Sequence, residues 1–149
     1  MIRVVNDEKF ISFAFSDSAA KAAYHGDDFL KGYLSCVRVD SVMGIYFDFK
    51  INSADAYDYY GMIKKDNTVK FILKSGKEVS IPFGHTFSGN TNLSEEKTEY
   101  SSFAVITDET ADELKSEELS RVVINWSKRN EDYLAVNPGI FINQIPCIK

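Results

Sequence analysis

The chain has 149 residues, 44% of them hydrophobic and 26% charged, with a net charge of −5 and a pI of about 5.0. This length fits one domain, 1–149, with a core large enough to need no disulfide or metal staple. The acidic balance argues against a nucleic-acid partner, which calls for a basic face. The N-terminus has no basic stretch followed by an apolar run, and no apolar segment reaches membrane-spanning length, so no membrane partner and a cytoplasmic location are expected.

In chain order, residues 2–5 and 10–15 read as two short strands, with Phe13 and Phe15 on one face. Ser16 reads as the N-cap of a short alanine-rich helix that Gly26 stops, and residues 28–32 as a single turn inserting Phe29 and Leu30. Residues 33–40 form a strand candidate, and Gly44 ends a short turn. Residues 45–51 alternate most strictly, with Ile45, Phe47, Phe49 and Ile51 inward and Tyr46, Asp48 and Lys50 outward. Residues 52–61 read as a loop carrying Tyr57, Tyr59 and Tyr60, and residues 62–65 as a brief strand.

Residues 67–83 are the most legible element, a β-hairpin. A three-residue loop, Lys74-Ser75-Gly76, pairs Phe71 with Val79 and Val69 with Ile81, so the apolar faces coincide. A two-residue loop would mix the faces. Gly76 takes the left-handed position of the bulged turn, and Pro82, which cannot donate to a ladder, belongs at an edge or strand end. Residues 84–98 form the longest polar stretch and read as a loop. A strand follows at 99–106. A helix capped by Thr107 or Asp108 runs to about Leu119, and strands follow at 122–126 and 133–136, with a turn at 128–132 between them. Asn137-Pro138 reads as the N-cap and first position of a final helical turn holding Ile140, Phe141 and Ile145. The fold class expected is α+β, β-rich, with mainly antiparallel sheets built from hairpins and two or three short helices.

No motif for catalysis, phosphate binding or a cofactor is present, and no metal site, cofactor or catalytic residue is expected. His25-Gly26-Asp27-Asp28 reads as a helix stop and a following cap, because a metal needs three or more convergent ligands. His85, near Ser88, reads as a solvated loop histidine. An enzyme using it and the 84–98 loop would need a pocket beside a carboxylate. Cys36 and Cys147 read as free, reduced and buried.

Two features point to protein contact. Tyr57, Tyr59 and Tyr60 either give large contact area at low entropic cost or, for two of them, fold back onto the core. Charge is also uneven. Lys64, Lys65, Lys70, Lys74 and Lys77 against Asp66 make a local +4, whereas residues 95–118 carry nine acids against Lys97 and Lys115, a local −7. These patches either neutralise each other within one molecule or meet between neighbours.

The opening strand Met1-Ile2-Arg3-Val4-Val5, together with strand pairs such as Val37–Val39 with Ile45–Ile51, resembles the small β-rich structural and accessory proteins of tailed bacteriophages. The resemblance covers about the first half of the chain and implies a place in a virion-like assembly, with no functional residue carried over. The function expected is a non-enzymatic structural or interaction protein whose partners are other proteins, in a homo- or hetero-oligomeric assembly. The alternative is a small acidic inhibitor or immunity-type protein that blocks one target through Glu113, Glu117 and Glu118.

Overall fold

The computed structural model describes residues 2–14, 19 and 29–149. In chain order the elements are β1 (Ile2–Val4), β2 (Glu8–Phe13), β3 (Leu30–Val39), β4 (Val42–Ile51), α1 (Ala56–Tyr60), β5 (Thr68–Leu73), β6 (Glu78–Pro82), β7 (Asn90–Asn92), β8 (Lys97–Ile106), α2 (Asp108–Lys115), β9 (Leu119–Asn125), β10 (Asn130–Leu134) and α3 (Ile140–Ile148). The strands form two antiparallel sheets. A six-stranded sheet runs β1-β3-β4-β8-β7 with β2 also paired to β3, and a four-stranded sheet runs β10-β9-β5-β6. The α+β, β-rich class expected from the sequence is the class observed.

The inner faces of the two sheets share one core. Phe47 of β4 stacks on Phe71 of β5 at 6.3 Å between ring centroids, Phe49 meets Trp126 edge-on at 5.4 Å, and Phe71 meets Phe141 of α3 at 4.9 Å. Each such fully buried side chain contributes about 1.5–3 kcal/mol of transfer free energy. The hairpin β5–β6 has the register read from its sequence. Phe71 faces Val79 and Val69 faces Ile81, the Leu73 amide donates to the Lys77 carbonyl at 2.8 Å, and Gly76 has φ 93°. β6 is an edge strand of its sheet, so Pro82 breaks no ladder there.

Several boundaries differ, each for a physical reason. β2 occupies Glu8–Phe13, and a bulge between Lys9 and Ile11 turns both Phe10 and Ile11 into the core. Of the turn expected at 28–32, the described part from Phe29 runs into β3, which begins at Leu30. Gly44 lies inside β4, not at a turn. A Cβ there would meet the Ala104 carbonyl at 3.0 Å, and the chain reverses instead at Asp40, with φ 55°. The stretch read as a tyrosine loop contains α1. The brief strand expected at 62–65 is a single bridge, Ile63 with Phe87, and the long loop 84–98 contains β7 paired to β8. α2 is capped by Thr107, whose hydroxyl accepts from the Thr110 amide at 3.1 Å. It stops at Lys115, because Leu119 is needed to open β9. β10 starts at Asn130, inside the stretch read as a turn. α3 starts at Ile140 with Gly139 at its N-cap, and the Asn137 amide donates to Glu8 instead of capping. Cys36 is buried as expected, but Cys147 is exposed. The expected helix between Ser16 and Gly26 (Ala19 apart), Phe15 and the His25–Asp28 cluster lie outside the described residues.

α3 is stitched to the six-stranded sheet by a buried amide. Gln144 Oε1 accepts from the Cys36 backbone N–H at 2.9 Å, and its Nε2 donates to Glu8 at 3.0 Å. Among the described residues, no helix is long and apolar enough to cross a membrane.

Candidate functional site: the outer face of the six-stranded sheet

The inner face of the six-stranded sheet is covered by β5, β9 and α3. Its outer face is composed of rows fixed by strand register. At one end Ile2, Val39 and Val42 align. Val4, Val37, Gly44 and Val105 make the next row, then Ser35, Tyr46 and Phe103. Tyr33, Asp48 and Ser101 follow, and Lys31, Lys50, Glu99 and Asn90 make the polar end. From Val39 to Tyr33 this covers about 20 Å of strand.

The upper rows are apolar and lie in water. Ile2 is 69% exposed, Val4 64%, Val105 57% and Tyr46 55%, and Val39 and Val42 are about half exposed. Scattered apolar side chains on a surface mean little, but contiguous ones on one face mark a contact site. The surface is flat at Gly44, and it is extended by aromatic packing. Tyr46 lies 6.3 Å from Phe103, and His85 lies 5.7 Å from Phe103 on the other side. Gly84 is the reason His85 can sit there: its amide donates to the Phe103 carbonyl at 2.7 Å, and a Cβ would meet the Phe103 ring at 2.7 Å.

Among the described residues, depressions lie on this face at two places. A cleft of about 740 Å³ at the polar end is lined by Lys31, Tyr33, Lys50, Asn92, Lys97 and Glu99 among others. A second, of about 470 Å³, arises from a break in the sheet edge. β1 and β2 both pair with β3, end to end, and Asn6-Asp7 between them leaves the ladder after Val5, whose amide still donates to the Cys36 carbonyl at 3.2 Å. Val4, Asp7, Tyr33, Val37, Tyr46 and Asp48 line the resulting pocket.

Asp48 is the chemically unusual group. Its Oδ1 is buried and has no hydrogen-bond partner. Burial first, then the neighbouring Glu99 carboxyl, pushes the Asp48 carboxyl up to about 6, and Lys50 acts in the opposite direction. Lys50 itself sits over the Tyr33 ring at 5.3 Å.

The residues singled out in the sequence are placed differently. Tyr60 is fully buried, so it offers no contact surface. Its hydroxyl donates to Glu131, which also accepts from Tyr133 at 2.8 Å, while the Trp126 indole donates to the Tyr133 hydroxyl at 3.0 Å. Burial raises the pKa of both Tyr60 and Tyr133, keeping them neutral donors. Tyr59 is half-buried under the Arg129 guanidinium, 3.3 Å from its ring centroid, and Tyr57 is exposed beneath Lys128. The basic hairpin and the acidic helix meet within the molecule. Lys77 pairs with Glu113 at 3.5 Å, Lys70 with Glu78 at 3.7 Å, and Glu117 accepts from the Ser75 amide and hydroxyl at 2.8 and 2.9 Å. Lys64, Lys65, Lys74 and Glu118 are exposed. His85 is exposed against Phe103 and lines neither depression described above. Among the described residues no group of three or more His, Cys, Asp or Glu side chains could hold a metal.

Comparison of this chain with family models, with curated proteins and with solved structures finds no match in any of the three.

Proposed function

We propose that this protein is a non-enzymatic structural or interaction protein that works by surface contact with other proteins in a larger assembly, using the outer face of its six-stranded sheet. The observation that carries this reading is the contiguous exposed apolar surface of Ile2, Val4, Val39, Val42, Tyr46 and Val105 on that face. Strands apolar on both faces belong where both faces are covered, and among the described residues only the inner one is. The sequence resemblance to accessory proteins of tailed bacteriophages suggests a virion as the setting. The inhibitor alternative draws less support, because Glu113 and Glu117 are engaged by the protein's own hairpin.

Val105→Asp tests the reading. A charge there leaves the fold within about 0.5 kcal/mol of the parent, as for an ordinary surface site, yet places an unpaired carboxylate in the contact. The wild type should form a concentration-dependent oligomer in light scattering, or recover a partner from its native source, and Val105→Asp should abolish this while Lys74→Glu does not. A wild type that is strictly monomeric and recovers nothing, or association indifferent to Val105→Asp, would refute the proposal.

A further inference from the structure

The pocket at the edge break joins two observations that the apolar face alone does not explain. Its walls are apolar and aromatic, formed by Val4, Val37, Tyr33 and Tyr46, and it also holds two carboxylates, Asp7 and Asp48. One of these, Asp48, has a buried oxygen without a hydrogen-bond partner. Folded proteins satisfy nearly all buried polar atoms, so an orphan beside a pocket marks the place of a missing donor. Its volume, about 470 Å³, lies in the range of binding pockets.

The chemistry of the donor follows from the surroundings. The groups facing Asp48 are Glu99 from β8, Asp7 from the edge break, Lys50 from β4 and Tyr33 from β3. With Asp48 itself, three carboxyls outweigh the one ammonium. Lys50 is drawn toward the Tyr33 ring and leaves Asp48 Oδ1 unpartnered. A wholly apolar partner laid over this face would seal an uncompensated carboxylate from water, which is strongly unfavourable. A cation on a long aliphatic stem resolves the conflict: the stem follows the valines, the charged head reaches the carboxylate, and the tyrosine rings favour it further.

Resting on the contact-face reading above, we propose that this pocket receives an arginine or lysine side chain of a docked protein partner, its cation against Asp48 and its stem along Val4, Val37 and Tyr46. The partner segment is therefore apolar with a single embedded cation, the composition of a buried interface anchor.

The test uses the full chain and a capped nine-residue peptide of alternating serine and valine with a central arginine. Controls are the same peptide with citrulline, which keeps the shape and lacks the charge, and free methylguanidine. Amide chemical shifts are followed by two-dimensional NMR. At pH 7.5 the arginine peptide should saturably shift Val4, Val37, Tyr46 and Asp48, and the citrulline peptide should bind at least tenfold more weakly. Asp48→Asn should reduce the arginine peptide to the citrulline level, and Asp7→Asn should weaken it in the same direction. Binding should fall between pH 7.5 and pH 5 in the wild type and stay flat in Asp48→Asn.

Equal binding of arginine and citrulline peptides, no binding, or shifts confined to the Lys31–Lys50 cleft would overturn the proposal. Methylguanidine binding as tightly as the peptide would overturn the protein partner in favour of a small-amine site. If Val105→Asp abolishes association but the two peptides bind alike, only the pocket assignment fails. If association ignores Val105→Asp, the contact-face reading fails whatever the peptide does.

Discussion

The β5–β6 hairpin and the outer face of the six-stranded sheet are built from the same kinds of residue and end up in opposite conditions. The hairpin alternates cleanly: Val69, Phe71, Val79 and Ile81 are buried, and Lys70 and Lys77 meet Glu78 and Glu113 of the same molecule. Apart from the exposed Lys74, its apolar and charged groups are partnered internally. β3, β4 and β8 place apolar residues on both faces, and the second set faces water, together with a carboxyl that has one unpartnered oxygen. A surface crowded with charge can thus be self-contained, and a surface of valines can be the unfinished one. What distinguishes them is whether each group already has a partner, not how conspicuous it is.

The largest way to break this comparison is Phe71→Ala. Phe71 packs on Phe10, Phe47 and Phe141, and its truncation should cost about 3–5 kcal/mol in chemical denaturation. A loss below 1 kcal/mol would mean that the hairpin is not part of the central core.

Asp48→Asn should act in the opposite direction, stabilising the protein by about 1 kcal/mol at neutral pH, because a half-buried, solvent-screened charge with one unpartnered oxygen becomes a neutral amide. The folded state raises this carboxyl from 3.8 to about 6, so protonation favours folding. The stability is therefore fully present below about pH 4 and is lost as the pH rises through about 6. The gain from Asp48→Asn should accordingly be absent at pH 4 and complete above about pH 7. Thermal unfolding of both proteins across that range measures it. A gain independent of pH would show that ionisation of Asp48 is not its source.

Lys77→Ala should have the smallest effect, about 0–1 kcal/mol, since its ion pair with Glu113 is largely exposed and salt-screened. A larger, salt-insensitive loss would make the hairpin's charges structural and narrow its contrast with the valine face.

How much of this was legible follows from the periods involved. The hairpin could be read to the residue because alternation, a single glycine at the turn and the terminal proline all select one register. The cap of α2 could be narrowed to Thr107 or Asp108 for a similar reason, a local side-chain oxygen serving a local amide, and the structure selects Thr107. Tyr60 could not be placed as core, because it packs against Trp126, distant in sequence, and its hydroxyl finds Glu131 and Tyr133 only in the fold. The outward phase of Asp48 was visible in the alternation of 45–51, but its missing partner depends on where Glu99 and Asp7 arrive from other segments. One signal for the outer face was present all along. Phe103-Ala104-Val105-Ile106 is apolar in both phases of a strand, which asks for cover on both sides.

The Gln144 amide bears on the time course of folding. It joins α3 to Cys36 and Glu8, partners more than a hundred positions earlier, and Ile140, Phe141, Ile145 and Ile148 are all buried. Synthesis delivers the strands first and α3 afterwards. Until residues 140–148 emerge, the Cys36 amide lacks its acceptor and the Phe71 ring lacks Phe141. The nascent sheets must wait with part of their apolar interior open, and such non-local closure is slow. This interval is when the chain is most exposed to aggregation, and when a chaperone would act on it.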